Sequence, residues 1–179
     1  MKFPTKIGIA GAFLWIAIKL ITWFLGVSLN DIKIFVFINM FLLTASIAIG
    51  LYFVKLHETD SNLLNDIKNG MLAGVPYAVI VGSFLYFYYE KIYPDFNQVK
   101  IHEIEVKLNE SKTINEIKES NPGMQNKSAT EIKQEVIRNT KSIYNAKFTM
   151  LVSLLALMVY STLNSLLIAI IFRKVVFRN

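Results

Sequence analysis

The side chains of this sequence that could do chemistry are few, and their spacing fits no established catalytic arrangement. There are two histidines, His57 and His102. A zinc-hydrolase helix needs a second histidine four positions after the first, with a glutamate between them, and His102-Glu103 has no such partner. The chain has no cysteine, so thiolate metal sites, disulfides and a cysteine nucleophile are excluded. A glycine-rich phosphate loop, a dinucleotide fingerprint and a strained nucleophile elbow are all missing. Glu103 and Glu105 are interleaved with lysines, as on a solvated helix face, with nothing to split them into acid and base. The sequence therefore assigns no catalytic residue, no metal ligand and no cofactor, and the expectation is a protein that is not an enzyme.

What polar chemistry there is lies inside apolar runs. Lys19 is a charge within hydrocarbon-like sequence, and an unpaired charge at the centre of a bilayer costs about 2.5 to 3.5 kcal/mol even on lenient scales. Counting from Leu29 outward in both directions sets Lys19 and Asn39 at equal depth in an antiparallel pair, so the Asn39 carboxamide oxygen can accept from the ammonium. The alternatives are snorkelling toward headgroups near Trp23, or coordination of an anionic substrate or lipid headgroup. The same depth count places Tyr77 level with Asn164, where Ser161, Thr162 and Ser165 would join them in a polar pocket or bond between helices. Gly70, Gly74, Ala78 and Gly82 recur every fourth residue, which lines small side chains along one helix face and lets another helix approach closely. That ridge suits either a dimer or partner seam, or internal packing against span one, two or four, with Gly8 and Ala12 in span one or Ser46 and Gly50 in span two as candidate matching faces.

These residues need long apolar helices to position them, and the composition supplies them. Of 179 residues 54% are hydrophobic and 18% charged, more apolar side chains than a water-soluble core of this size can hide. Residues 34–54, 69–89 and 148–172 contain no Asp, Glu, Lys or Arg. Each is long enough, at about 1.5 Å per residue, to cross hydrocarbon as a helix. A further span is predicted over residues 5–29; its length, its internal lysine and the missing small-residue cleavage site argue against a removed signal peptide. Residues 26–31 are expected to close a tight turn into span two. Residues 55–68, with His57, Glu58, Asp60 and Asp66, are expected to form a loop. Pro76 predicts a modest kink in span three.

Residues 91–146 must live in water. Phe96, Val99, Ile101, Ile104 and Leu108 predict one amphipathic helix. Thr113 with Glu116, and Ser128 with Glu131, both fit the capping box, with a turn at Asn121-Pro122-Gly123 between them. The second helix is expected to run unbroken into span four. The aromatic run Phe84, Tyr86, Phe87, Tyr88, Tyr89 and Tyr93 reads as an interfacial belt, with ligand stacking as its rival. The expected fold is all-α: an integral membrane four-helix bundle with an extramembrane helical hairpin between spans 3 and 4. Residues 1–90 hold spans one to three, 91–146 the hairpin, and 147–179 span four with its basic tail.

Nineteen Lys and Arg against thirteen Asp and Glu give a net charge of +6. No Arg-rich stripe or aromatic-basic interleaving accompanies it, so the excess fits cytoplasmic membrane flanks rather than nucleic acid. Lys2 and Lys6 at one end, and Arg173, Lys174 and Arg178 at the other, place both termini in the cytoplasm, although residues 91–147 carry ten cations of their own. That topology would put His57 and His102 on opposite sides of the bilayer.

The glycine-rich third span, its aromatic run into Tyr93-Pro94-Asp95-Phe96, the Glu/Lys-rich helical insert and the basic end of the fourth span resemble a family of small bacterial membrane proteins of Bacteroidota type, known as a domain of unknown function. The resemblance covers the whole chain. It implies four spans and the cytoplasmic (inner) membrane, and no chemistry. The expected partners are the lipid bilayer and either a second copy or another membrane protein. The expected role is a self-associating or accessory scaffold subunit, or alternatively a small transporter or lipid- or anion-binding protein using Lys19 and Asn39.

Overall fold

The computed structural model describes residues 1–26, 32–57 and 62–177. The turn expected at residues 26–31 lies, apart from Gly26, outside the described residues, as do Glu58, Asp60 and Arg178.

Four helices have the length and apolar character to cross a membrane: Phe3–Phe24, Ile34–Lys55, Leu63–Ile92 and Ala146–Val176. They belong to α1 (Phe3–Phe24), α2 (Ile32–Lys55), α3 (Leu63–Phe87) and α7 (Ala146–Ile171), the last two extended by π-helical turns at Tyr88–Ile92 and Phe172–Val176. The protein is a multi-pass helical membrane protein. Between spans three and four lie α4 (Asp95–Lys107), α5 (Ser111–Ser120) and α6 (Ala129–Ile143). The chain divides into two compact units, Met1–Phe84 with Val152–Asn179, and Leu85–Leu151.

In the first unit α1 starts with Pro4 in its first turn, where its missing N–H would have had no helical partner. It ends on Gly26, whose φ of 63° is the left-handed conformation that stops a helix at least strain for glycine. Pro4, Gly8, Ala12, Trp15 and Lys19 form its buried stripe, at steps of four and three residues. The outward faces of α1 and α2 are apolar too: Phe13 of α1 is 59% exposed and Phe37 of α2 72%, tolerable only where lipid replaces water. Asn62 opens α3 by accepting from the Asn65 N–H at 2.8 Å. α3 continues as helix across Pro76.

The extramembrane helices expected between spans three and four are present in the second unit as three short helices around a core of their own. Leu108, Ile114 and Ile132 are buried there, with Ile104, Ile117, Met124 and Val136 packed against them. Val99 is 45% exposed and Val106 51%, and no residue within α4 is fully buried; Leu108, just past its end, is. The capping box at Thr113 does not form. α5 begins three residues earlier, at Ser111 with Glu110 as its N-cap, and the Thr113 N–H bonds the Glu110 carbonyl at 3.1 Å. Burial of Ile114 fixes that register. The Ser128 box does form, with the Glu131 N–H donating to Ser128 Oγ at 3.2 Å and the Ser128 N–H to Glu131 Oε2 at 2.7 Å. The helix it opens does not continue into span four. It breaks at Tyr144 (φ −84°, ψ 70°), and the Phe148 N–H donates to Asn145 Oδ1 at 2.8 Å, starting α7 afresh.

Candidate functional site

The polar side chains within the first unit form several separate constellations, each joining different helices. The Lys19 ammonium lies 3.9 Å from the centre of the Phe35 ring, and Lys19 is only 5% exposed. A cation on an aromatic face in a site shielded from water is stabilised by the ring quadrupole. The Trp15 indole N–H donates to the Phe35 carbonyl at 3.4 Å, fixing the residue beneath the ammonium. The ammonium thus lies against α2. Asn39 is one turn further along α2, and its Oδ1 accepts from the Tyr77 hydroxyl at 2.7 Å. That hydroxyl is also 3.2 Å from the Asn39 carbonyl oxygen.

Tyr77 and Asn164 consequently do not share one pocket. Asn164 turns toward Thr44, whose hydroxyl is 3.4 Å from Asn164 Oδ1 and 3.1 Å from the Tyr160 hydroxyl. Thr162 is exposed and donates to its own helix at the Met158 carbonyl. Ser161 and Ser165 are fully buried, and their hydroxyls have no hydrogen-bond partner among the described residues.

Those two serines fill the small-residue ridge. A Cβ on Gly74 would lie 1.7 Å from Ser161 Oγ, one on Gly70 2.7 Å from Ser165 Oγ, and one on Gly82 3.3 Å from Leu154 Cβ. The pairs step in opposite directions along the two chains, which is an antiparallel register of α3 against α7. Ala78, on the same four-residue repeat, is fully buried. The other side of α3 is equally close: a Cβ on Gly8 would meet the Ala73 carbonyl oxygen at 2.0 Å. Within one chain the ridge is therefore occupied by α7, with α1 behind it.

A further constellation escaped the sequence reading. Lys55 at the end of α2, Asp66 in the first turn of α3 and Arg173 just past α7 meet on one carboxylate oxygen. Lys55 Nζ is 2.9 Å from Asp66 Oδ2, and Arg173 Nε donates to the same atom at 2.5 Å. Asp66 is fully buried and the Lys55 side chain 6% exposed. The available signal was weak: an acid four residues after a helix-starting Asn is a helical residue, yet only the fold brings Arg173 to it across 107 positions.

Around this end of the unit Phe3 stacks on Phe53 at 4.8 Å between ring centres, and Tyr52 meets Phe172 at 6.2 Å. Two adjoining clefts open here, of about 560 and 440 Å³, and both have Lys2 and Asn69 in their walls. In the second unit Tyr89 lies 5.0 Å from Phe96 and 5.2 Å from Tyr88, ring centre to ring centre. Glu103 pairs with Lys100 at 2.8 Å and Glu105 lies 3.8 Å from His102, all on exposed or half-exposed α4 surface. Among the described residues no three His, Cys, Asp or Glu side chains stand close enough together to hold a metal ion.

No protein-family model, curated protein or solved structure matches this chain. The likeness to Bacteroidota-type membrane proteins therefore rests on the sequence features alone.

Proposed function

We propose that the protein is a non-enzymatic accessory or scaffold component of a membrane, in which the four spans form a fixed frame that carries the three-helix insert. One observation supports this most: several polar side chains of the spans are engaged across helices, Tyr77 with Asn39, Thr44 with Tyr160, and Asp66 with Lys55 and Arg173. Side chains so committed hold helices together and are poorly placed to turn over a substrate. Because α7 occupies the Gly70–Gly74 face, assembly with another membrane protein is favoured over self-association through that ridge. The cytoplasmic membrane of a bacterium, with both termini inside, belongs to the same proposal. It is supported by Lys2, Lys6, Lys55, Lys68, Arg173 and Lys174 at the helix ends of the first unit.

Native mass spectrometry of the full chain in mild detergent, with a photo-crosslinking residue at exposed Val106, tests the proposal. It expects one copy of this chain per particle and a defined adduct to another protein. A strictly isolated particle without adduct, or a homodimer broken by widening Gly74, would refute it. The second reading, a transporter or anion-binding protein centred on Lys19 and Asn39, draws on the burial of Lys19. It requires Lys19→Met to abolish function, whereas a purely structural Lys19 leaves function intact and thermal stability equal or higher.

A further inference from the structure

The two clefts at the end of the first unit combine features that suit an anionic amphiphile. One has Lys2, Lys68, Asn65 and Asn69 in its wall, four side chains that present N–H donors. The other shares Lys2 and Asn69 and is walled by Phe3, Phe53 and Val54, with His57 at its margin. The His57 ring has Nδ1 2.8 Å from the Phe53 carbonyl oxygen, so that nitrogen is committed and Nε2 is left for a ligand. No acid lines either cleft among the described residues. The carboxylate next in sequence to Asn65, Asp66, has its Oδ2 held by Lys55 and Arg173, so its charge is already compensated. The clefts also open where α1 begins. Its first turn has no side-chain cap at Lys2, which leaves backbone N–H groups and the positive end of the helix dipole beside the lysines.

We propose that these joined clefts bind a phosphate-bearing anionic phospholipid. The phosphate would sit among Lys2, Lys68, Asn65 and Asn69, and the first acyl carbons against Phe3, Phe53 and Val54. A free phosphate ion or phosphorylated solute offers the same anionic oxygens, but the apolar wall and the place of the clefts at the end of the membrane-spanning windows favour the lipid. This site is distinct from the Lys19 constellation and does not depend on the accessory role.

The test is lipid retention by the full-length protein in mild detergent, read by native mass spectrometry with dioleoyl phosphatidylglycerol, dioleoyl phosphatidylcholine and inorganic phosphate as probes. Phosphatidylglycerol is expected to be retained preferentially, and Lys2→Gln with Lys68→Gln should weaken it by about fivefold for each lysine. Both lysines are exposed, so the melting temperature of the variant should stay that of the parent. Asn69→Leu, which keeps every charge but fills the shared wall, should weaken retention as well. Lys112→Gln with Lys118→Gln, an equal charge change on α5, should leave it intact. Equal retention of the two lipids, or equal loss in the α5 control, overturns the site. Displacement of phosphatidylglycerol by millimolar inorganic phosphate, with no dependence on acyl length, overturns the lipid as its occupant.

Discussion

At the scale of single residues, the strongest commitment in the first unit is the carboxylate shared by two cations. Asp66 has no exposure at all, and its charge is compensated by Lys55 and Arg173, 2.9 and 2.5 Å from it. Asp66→Leu removes that compensation from a lysine side chain that is 6% exposed. It should lower stability by about 3 to 5 kcal/mol, measured as the shift in thermal unfolding in detergent. Converting Lys55 and Arg173 to Met in the same chain should recover much of the loss, since a well-packed apolar trio often matches a buried ionic one. If the triple variant is no better than the single, the trio holds the fold by something other than charge. Little of this was legible beforehand. Lys55 and Arg173 read as ordinary flanking cations and Asp66 as a loop acid, because linear spacing says nothing about three helix ends converging. The sequence marks Lys19 as a charge needing relief, but the aromatic ring of Phe35 carries no polar label in it.

At the scale of elements, close approach and capping decide the geometry. Gly74→Ala places a methyl group against Ser161 Oγ and Cβ, at 1.7 and 2.8 Å, so α3 and α7 must part or the serine must turn. It should destabilise by about 1 to 3 kcal/mol, whereas Gly123→Ala, with nothing within 4 Å, should not. Matching unfolding temperatures for the two would show that the α3–α7 seam is loose. In α6 the backbone N–H of Ser128, followed by its side chain, holds the Glu131 carboxyl below the usual carboxylate range. A depressed folded-state pKa means the folded helix prefers the charged form. The contribution is therefore complete above the unfolded value, about 4.3, and is lost as pH falls through the lower folded value. Hydrogen exchange in the first turn of α6 should accelerate on acidification in the parent and be fast and less pH-sensitive in Glu131→Gln. The four spans and this cap were readable because each follows from a local rule, a charge-free run or a four-residue signature. The Thr113 box obeyed the same signature and failed, because burial of Ile114 set the start of α5. The break at Tyr144 and Asn145 was missed because neither proline nor glycine marks it, only an asparagine whose side chain caps better than its backbone continues.

At the scale of the whole molecule, the chain comprises two compact units with separate cores. Fold class is legible because hydropathy is additive along the chain, and the insert's helices are signalled by Pro94, Thr113 and Ser128, whereas the core shared by Leu108, Ile114 and Ile132 is a three-way contact that no periodicity within one helix reveals. Ile132 is fully buried in that small core, and Ile132→Ala should destabilise the insert by about 2 to 4 kcal/mol. Limited proteolysis should then cut between residues 95 and 143 while Met1–Phe84 stays protected; simultaneous loss of both would show one cooperative unit. Asp66, finally, makes assembly sequential. A chain emerging from the ribosome brings Lys55 to Asp66 early, but Arg173 lies 107 positions downstream of that carboxylate, so α7 can be latched only after the whole insert has been made. Until then the first three helices wait in the bilayer with their seam unfilled, at the stage when a chaperone or insertase has most to do.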